Sequence, residues 1–127
     1  MSHTHALVWL DHSEAHVMPI GTADVEKTVV YSSHPHAKLH TRAGTLGSGR
    51  APEDHDYYHR VAQALGGAQE ILVVGPADAK LHLIKHLHSH HARLVERLIG
   101  VETVDHLSDG QLGAYARKYF LKMDETL

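Results

Sequence analysis

The sequence predicts an α/β fold, a three-layer α/β/α sandwich around a mixed sheet, and three observations carry that prediction. Glu70-Ile71-Leu72-Val73-Val74-Gly75-Pro76 is a short apolar run ended abruptly by Gly-Pro, and apolar side chains on both alternating faces fit a strand covered on both sides. Ala6-Leu7-Val8-Trp9-Leu10 has the same two-faced character. Finally, a stretch without Gly or Pro, Ala77 to His90, separates the first run from a second short strand, Gly100-Val101-Glu102-Thr103-Val104-Asp105. Strand, helix and strand make a βαβ crossover, so part of the sheet is parallel.

In chain order, Ala6 to Leu10 is the first central strand. Asp11-His12-Ser13 supplies turn chemistry, and Glu14 to Ile20 returns as a second strand with Ala15, Val17 and Pro19 alternating. Gly21-Thr22-Ala23-Asp24 turns the chain into a third strand, Val25 to Ser33, alternating Val25, Lys27, Val29 and Tyr31. These strands form an antiparallel meander at one side of the sheet, and Pro19 implies an unpaired edge near the end of the second. From His34 to Pro52 the periodicity disappears into a Gly- and Ser-rich stretch, expected to be a flexible loop over 34–52. A helix follows from Glu53 to about Leu65, with Tyr57, Val61, Ala64 and Leu65 on one face, and Gly66-Gly67 stops it.

Pro76 lacks an N–H that the first helical turn does not need, so helix is expected directly after it. Ala77, Leu81, Ile84 and Leu87 form the predicted apolar face of that helix. A break near His88 to His91 precedes a second helical piece carrying Leu94, Val95, Leu98 and Ile99. Ser108-Asp109-Gly110-Gln111 is a capping box. It opens a last helix, from about Asp109 to Met123, that buries Leu112, Tyr115, Ala116, Tyr119 and Phe120, while Lys118 and Lys122 suit its dipole.

A chain of 127 residues, 43% hydrophobic and 21% charged, reads as one globular domain over 1–127. The lack of cysteine excludes disulfides and thiolate zinc sites and fits a cytoplasmic location. No window approaches the ~20 apolar residues that span a bilayer, so no membrane partner is expected. Twelve basic against 15 acidic side chains leave a formal charge of −3, which argues against nucleic-acid binding over the whole surface. The outlier is histidine, with 15 residues. Near their ordinary pKa these would make the chain strongly positive roughly one to two pH units below neutrality.

His82, His86 and His90 recur every four residues, a spacing that lets imidazoles share zinc or nickel. Leu83 stands where the zinc-peptidase motif has glutamate, and no carboxylate offers itself as a third ligand. The row therefore reads as a solvated helix face turned away from Ile84, and no cofactor is expected. His34, His36 and His40 form a similar loose group. Asp11-His12 and Asp105-His106 both follow strands; parallel strand ends are where open α/β sheets build ligand sites. Such pairs suit acid–base or metal-assisted hydrolysis, yet Asp is equally at home in turns and before helix caps. Gly75-Pro76 presents backbone N–H groups to an anion, but Asp78 already occupies that field. The 34–52 segment is the basic zone: no acid lies between Lys27 and Pro52, while Lys38, Arg42 and Arg50 do. These cations are the candidate RNA contacts, with an affinity that would fall as salt rises.

The runs Ala6 to Ala15, Leu72 to Lys80, Val101 to His106, Asp109 to Leu112 and Ala114-Tyr115-Ala116-Arg117-Lys118-Tyr119-Phe120 resemble the small bacterial family labelled translational machinery proteins. Members look like stand-alone relatives of the third domain of archaeal and eukaryotic peptide-chain release factor and pelota. The resemblance covers nearly the whole chain and implies the α/β/α sandwich of kink-turn-binding ribosomal proteins. It also implies no catalytic residues, since in release factors this domain docks a translational GTPase. Gly66-Gly67-Ala68-Gln69 has one alanine too many for the Gly-Gly-Gln release motif, and its glycines are explained as a helix stop. The expected function is a non-enzymatic, translation-associated binding module contacting the ribosome, RNA or a translation factor. The alternatives are a metal-dependent hydrolase using Asp11, His12, Asp105 and His106, and a structural homodimer formed along the meander edge.

Overall fold

The computed structural model describes residues 5–20, 27–32 and 55–125. The loop expected at 34–52, with Lys38, Arg42 and Arg50, lies outside the described residues. The element order is β1 (His5–Leu10), β2 (Glu14–Ile20), β3 (Thr28–Tyr31), α1 (His55–Ala64), β4 (Glu70–Gly75), α2 (Ala79–His90), α3 (Ala92–Val95), β5 (Leu98–Thr103) and α4 (Asp109–Glu125). The strands form one five-stranded sheet ordered β3-β2-β1-β4-β5. β1 pairs antiparallel with β2 and β2 with β3, whereas β1, β4 and β5 run parallel. This is the expected mixed sheet, with the meander on one side and the βαβ unit on the other.

Strand alternation divides the core in two. Ala6, Val8, Leu10, Ile71 and Val73 point to one face, where they meet Tyr57, Val61 and Leu65 of the α1 region, Leu83 and Leu87 of α2, and Leu94 of α3. Leu7, Trp9, Leu72 and Val74 point to the other and pack on Leu112, Ala116 and Phe120 of α4. Helices on both faces of the sheet make the α/β/α sandwich. Each fully buried large apolar side chain contributes about 1.5–3 kcal/mol, so the central strands anchor the fold from both sides.

The capping box forms as expected: the Gln111 amide N–H donates to Ser108 Oγ at 3.1 Å, and the Ser108 N–H to Gln111 Oε1 at 2.9 Å. Four details differ from the sequence expectation. Residues 76–78 are bends and α2 starts at Ala79, because Asp78, at the N-cap position, makes no side-chain cap and turns its carboxylate to His12 instead. The buried face of α2 is Ala79, Lys80, Leu83, His86 and Leu87, while Leu81 is 57% exposed; contact with α1 and the sheet, not the apolar spacing, sets its rotation. Leu98 and Ile99 belong to β5 rather than to a helix, since the parallel ladder with β4 starts at Ile71 and Leu98 and carries an irregularity there. In β3 it is Val30 that is buried and Tyr31 that is exposed, because antiparallel register sets Val30 opposite the buried Ala15.

Candidate functional site

The carboxyl ends of β1, β4 and β5 come together through close backbone packing. A Cβ at Gly75 would lie 2.2 Å from the Leu10 carbonyl oxygen, so only glycine lets these strand ends meet so tightly. The chain after β5 then crosses the end of β4: the Val104 N–H donates to the Gly75 carbonyl at 3.0 Å. Trp9 fixes the crossing, its indole N–H lying 3.2 Å from the Val104 carbonyl and 3.1 Å from that of Asp105. The His106 ring lies over Trp9 with a centroid separation of 4.4 Å, and its Nε2 is 3.7 Å from Asp11 Oδ2.

Asp11 serves the β1–β2 turn. Its Oδ1 accepts the N–H groups of Ser13 at 2.8 Å and Glu14 at 2.9 Å, the Asx geometry in which aspartate replaces a backbone acceptor. Its backbone carbonyl accepts the Tyr57 hydroxyl at 2.8 Å, tying the turn to α1. His12 leads elsewhere: Nε2 is 2.7 Å from Asp78 Oδ1, and the same carboxylate lies 3.5 Å from His82 Nε2. The hydrogen bond from His12 holds the Asp78 carboxyl below the usual carboxylate range; burial opposes this and the charges of His12 and His82 add to it. Thus Asp11 and His106 come together, His12 joins Asp78 and His82, and Asp105 enters through its backbone carbonyl. Among the described residues, no set of three ligand atoms within 4.8 Å of one another is drawn from the four residues of the two Asp-His pairs.

A second cluster lies between α1 and α2. His86 is 7% exposed, and neither of its ring nitrogens has a hydrogen-bond partner. An unsatisfied buried polar group costs about 1–3 kcal/mol, so this imidazole is held against its own solvation. Four further imidazoles surround it, with centroid separations from His86 of 4.7 Å for His90, 5.4 Å for His91, 5.7 Å for His55 and 6.5 Å for His59. Burial, and then the charges of His90, His91, His55 and His59, push the His86 pKa down to about 4. The His91 ring is lowered too, by burial and then by His59 and His90. At neutral pH His86 is therefore an uncharged lone-pair donor.

The histidine row His82, His86 and His90 is thus only in part a solvated face: the rotation of α2 carries His86 into the α1–α2 interface, while His82 is half-buried and His90 exposed. Nor do the three act as one set: ligand atoms come within 4.8 Å of one another in His55–His86–His90, in His59–His86–His91 and in His12–Asp78–His82. Sequence reasoning missed His55, His59, His91 and Asp78 as neighbours. The spacing of His55 and His59 repeats that of His86 and His90, and this was the available signal; which helices pack together was not.

No protein-family model matches the chain, and no curated protein matches it in sequence. Solved structures match it in fold. The Pelota protein of Thermoplasma acidophilum is 19% identical with a TM-score of 0.57, covering 90% of this chain and 31% of that one. Pelota of Archaeoglobus fulgidus is 17% identical with a TM-score of 0.54, covering 86% of this chain and 28% of that one. Saccharomyces cerevisiae Dom34, described as a translation termination-like factor involved in RNA quality control and interacting with Hbs1, is 10% identical with a TM-score of 0.51, covering 78% of this chain and 28% of that one. The class is therefore an α/β/α domain with a mixed five-stranded sheet. Its likeness is to solved Pelota and Dom34 structures, of which this chain matches under a third of the length. Among the described residues, no helix is long and apolar enough to cross a membrane.

Proposed function

We propose that this chain is a non-catalytic binding module of the translation apparatus, a single domain over 1–127 that contacts the ribosome, RNA or a translation factor in the cytoplasm. The observation that carries this reading is the fold match to Pelota across 90% of the chain. It is an argument from fold, whose weight lies in the class of partner and not in particular contacts. The engagement of Asp11 by backbone amides and of His12 by Asp78 supports the non-catalytic side, since hydrolysis through the paired residues requires them together around one reacting atom.

Lys38, Arg42 and Arg50, on the acid-free segment, are the proposed contacts to a phosphate backbone. The test is co-sedimentation of the Lys38→Ala, Arg42→Ala, Arg50→Ala triple variant with ribosomes across a salt series. Loss of three phosphate contacts should weaken sedimentation and reduce the slope of log affinity on log salt by about 2–3. Wild-type sedimentation by the triple variant would remove this segment from the interface.

A further inference from the structure

We infer that His55, His86 and His90 form a binding site for one divalent transition-metal ion, of the zinc or nickel type, that clips α1 to α2. This site is independent of the proposed role in translation and adds a ligand to the fold. Its foundation is His86, buried to 7% exposure with both ring nitrogens unpartnered. Buried polar side chains are ordinarily satisfied, and the cavity beside His86 is lined by His55, His59, His90, His91 and Asp56, whose carboxylate pairs with Arg60 at 2.9 Å.

The neutral imidazole ring is the form that ligates metal. His86 and His90 lie one turn apart on α2, and His55 faces them from α1; their rings are 4.7, 5.7 and 6.2 Å apart. Ligand nitrogens of this trio lie within 4.8 Å of one another. A tetrahedral ion about 2.1 Å from each nitrogen wants them about 3.4 Å apart. His55 and His90 are exposed, so rotation about their side-chain bonds can close that gap while His86 stays fixed in the interface. A fourth position is left for water, and an all-nitrogen set favours borderline ions over calcium or magnesium.

His59 and His91 make the competing trio with His86, but their rings stand farther from the buried one, at 6.5 and 5.4 Å against 5.7 and 4.7 Å for His55 and His90. A neutral His86 has one lone pair, so the two trios cannot be filled together. One ion per chain is therefore expected at this cluster.

The experiment uses the untagged chain, stripped with chelator and titrated with Zn²⁺ by calorimetry and with Co²⁺ by visible absorption. The expected result is one saturable equivalent at this cluster, with a thermal midpoint that rises on adding Zn²⁺. His55→Ala and His90→Ala, both at exposed positions, should each weaken binding at least about tenfold with an unchanged circular dichroism spectrum. His12→Ala should leave that equivalent intact. Absence of saturable binding, wild-type affinity in both His55→Ala and His90→Ala, or loss of the ion in His59→Ala or His12→Ala instead would each overturn the assignment.

Discussion

Acid should loosen the α1–α2 interface through one side chain. His86 is held near a pKa of about 4 in the folded chain, against an ordinary 6.5, first by burial and then by the neighbouring His90, His91, His55 and His59. A histidine with a depressed folded pKa is neutral in the native state while the unfolded chain takes up a proton below 6.5. Stability is then constant above that pH and falls as pH drops from 6.5 toward 4, where the folded form titrates as well. At about 1.4 kcal/mol for each tenfold change, His86 alone makes the protein about 3 kcal/mol less stable at pH 4 than at pH 7. His91 acts in the same direction. Asp78, whose carboxyl lies below its ordinary 3.8, keeps its contribution through this window and loses it at lower pH. The assay is urea unfolding in metal-free buffer at pH 7.5, 6, 5 and 4.5, comparing wild type with His86→Leu. The leucine variant removes a buried unsatisfied imidazole, so it should match or exceed wild type at pH 7.5 and show a shallower decline in acid. Equal pH slopes in the two proteins would refute the argument that burial of His86 stores this free energy.

Three further outcomes follow from the strand ends and caps. Gly75→Ala forces a methyl group to 2.2 Å from the Leu10 carbonyl oxygen; the unfolding free energy should drop by about 3 kcal/mol or more, read by urea titration, and a near-neutral effect would contradict the close packing of β1 on β4. Trp9→Phe keeps most of the ring but removes the indole donor to the Val104 and Asp105 carbonyls, with a cost of about 1–3 kcal/mol and faster hydrogen exchange at Val104, whose N–H bonds to Gly75. Ser108→Ala breaks the capping box at the start of α4 and should cost about 1 kcal/mol, seen as a lower thermal midpoint with unchanged folded-state circular dichroism.

The central strands were legible because Ala6 to Leu10 and Ile71 to Val74 are apolar on both faces, and only a doubly covered strand suits that pattern. The capping box was legible because its chemistry is local. What escaped depended on tertiary packing. Leu98 and Ile99 are apolar neighbours that suit helix or strand equally, and pairing with β4 decided for strand. On α2 the apolar spacing of Leu81, Ile84 and Leu87 pointed to one face, yet Lys80 and His86 are buried and Leu81 is exposed. The same rotation hid the histidine cluster. Its α2 members stand in a visible row, but His55, His59 and His91 join them only because α1 lies alongside α2. Likewise the Asp11–His106 approach requires the crossing that Trp9 holds, and nothing in either dipeptide announces it.

The most direct measurement of the translation reading is the distribution of the untagged protein from growing cells through a sucrose gradient at low and at high salt. Co-migration with ribosomal particles, or with a translation factor recovered beside it, is the predicted result, with release as salt rises. A chain that stays at the top of the gradient under both conditions and brings no translation component with it would contradict that reading.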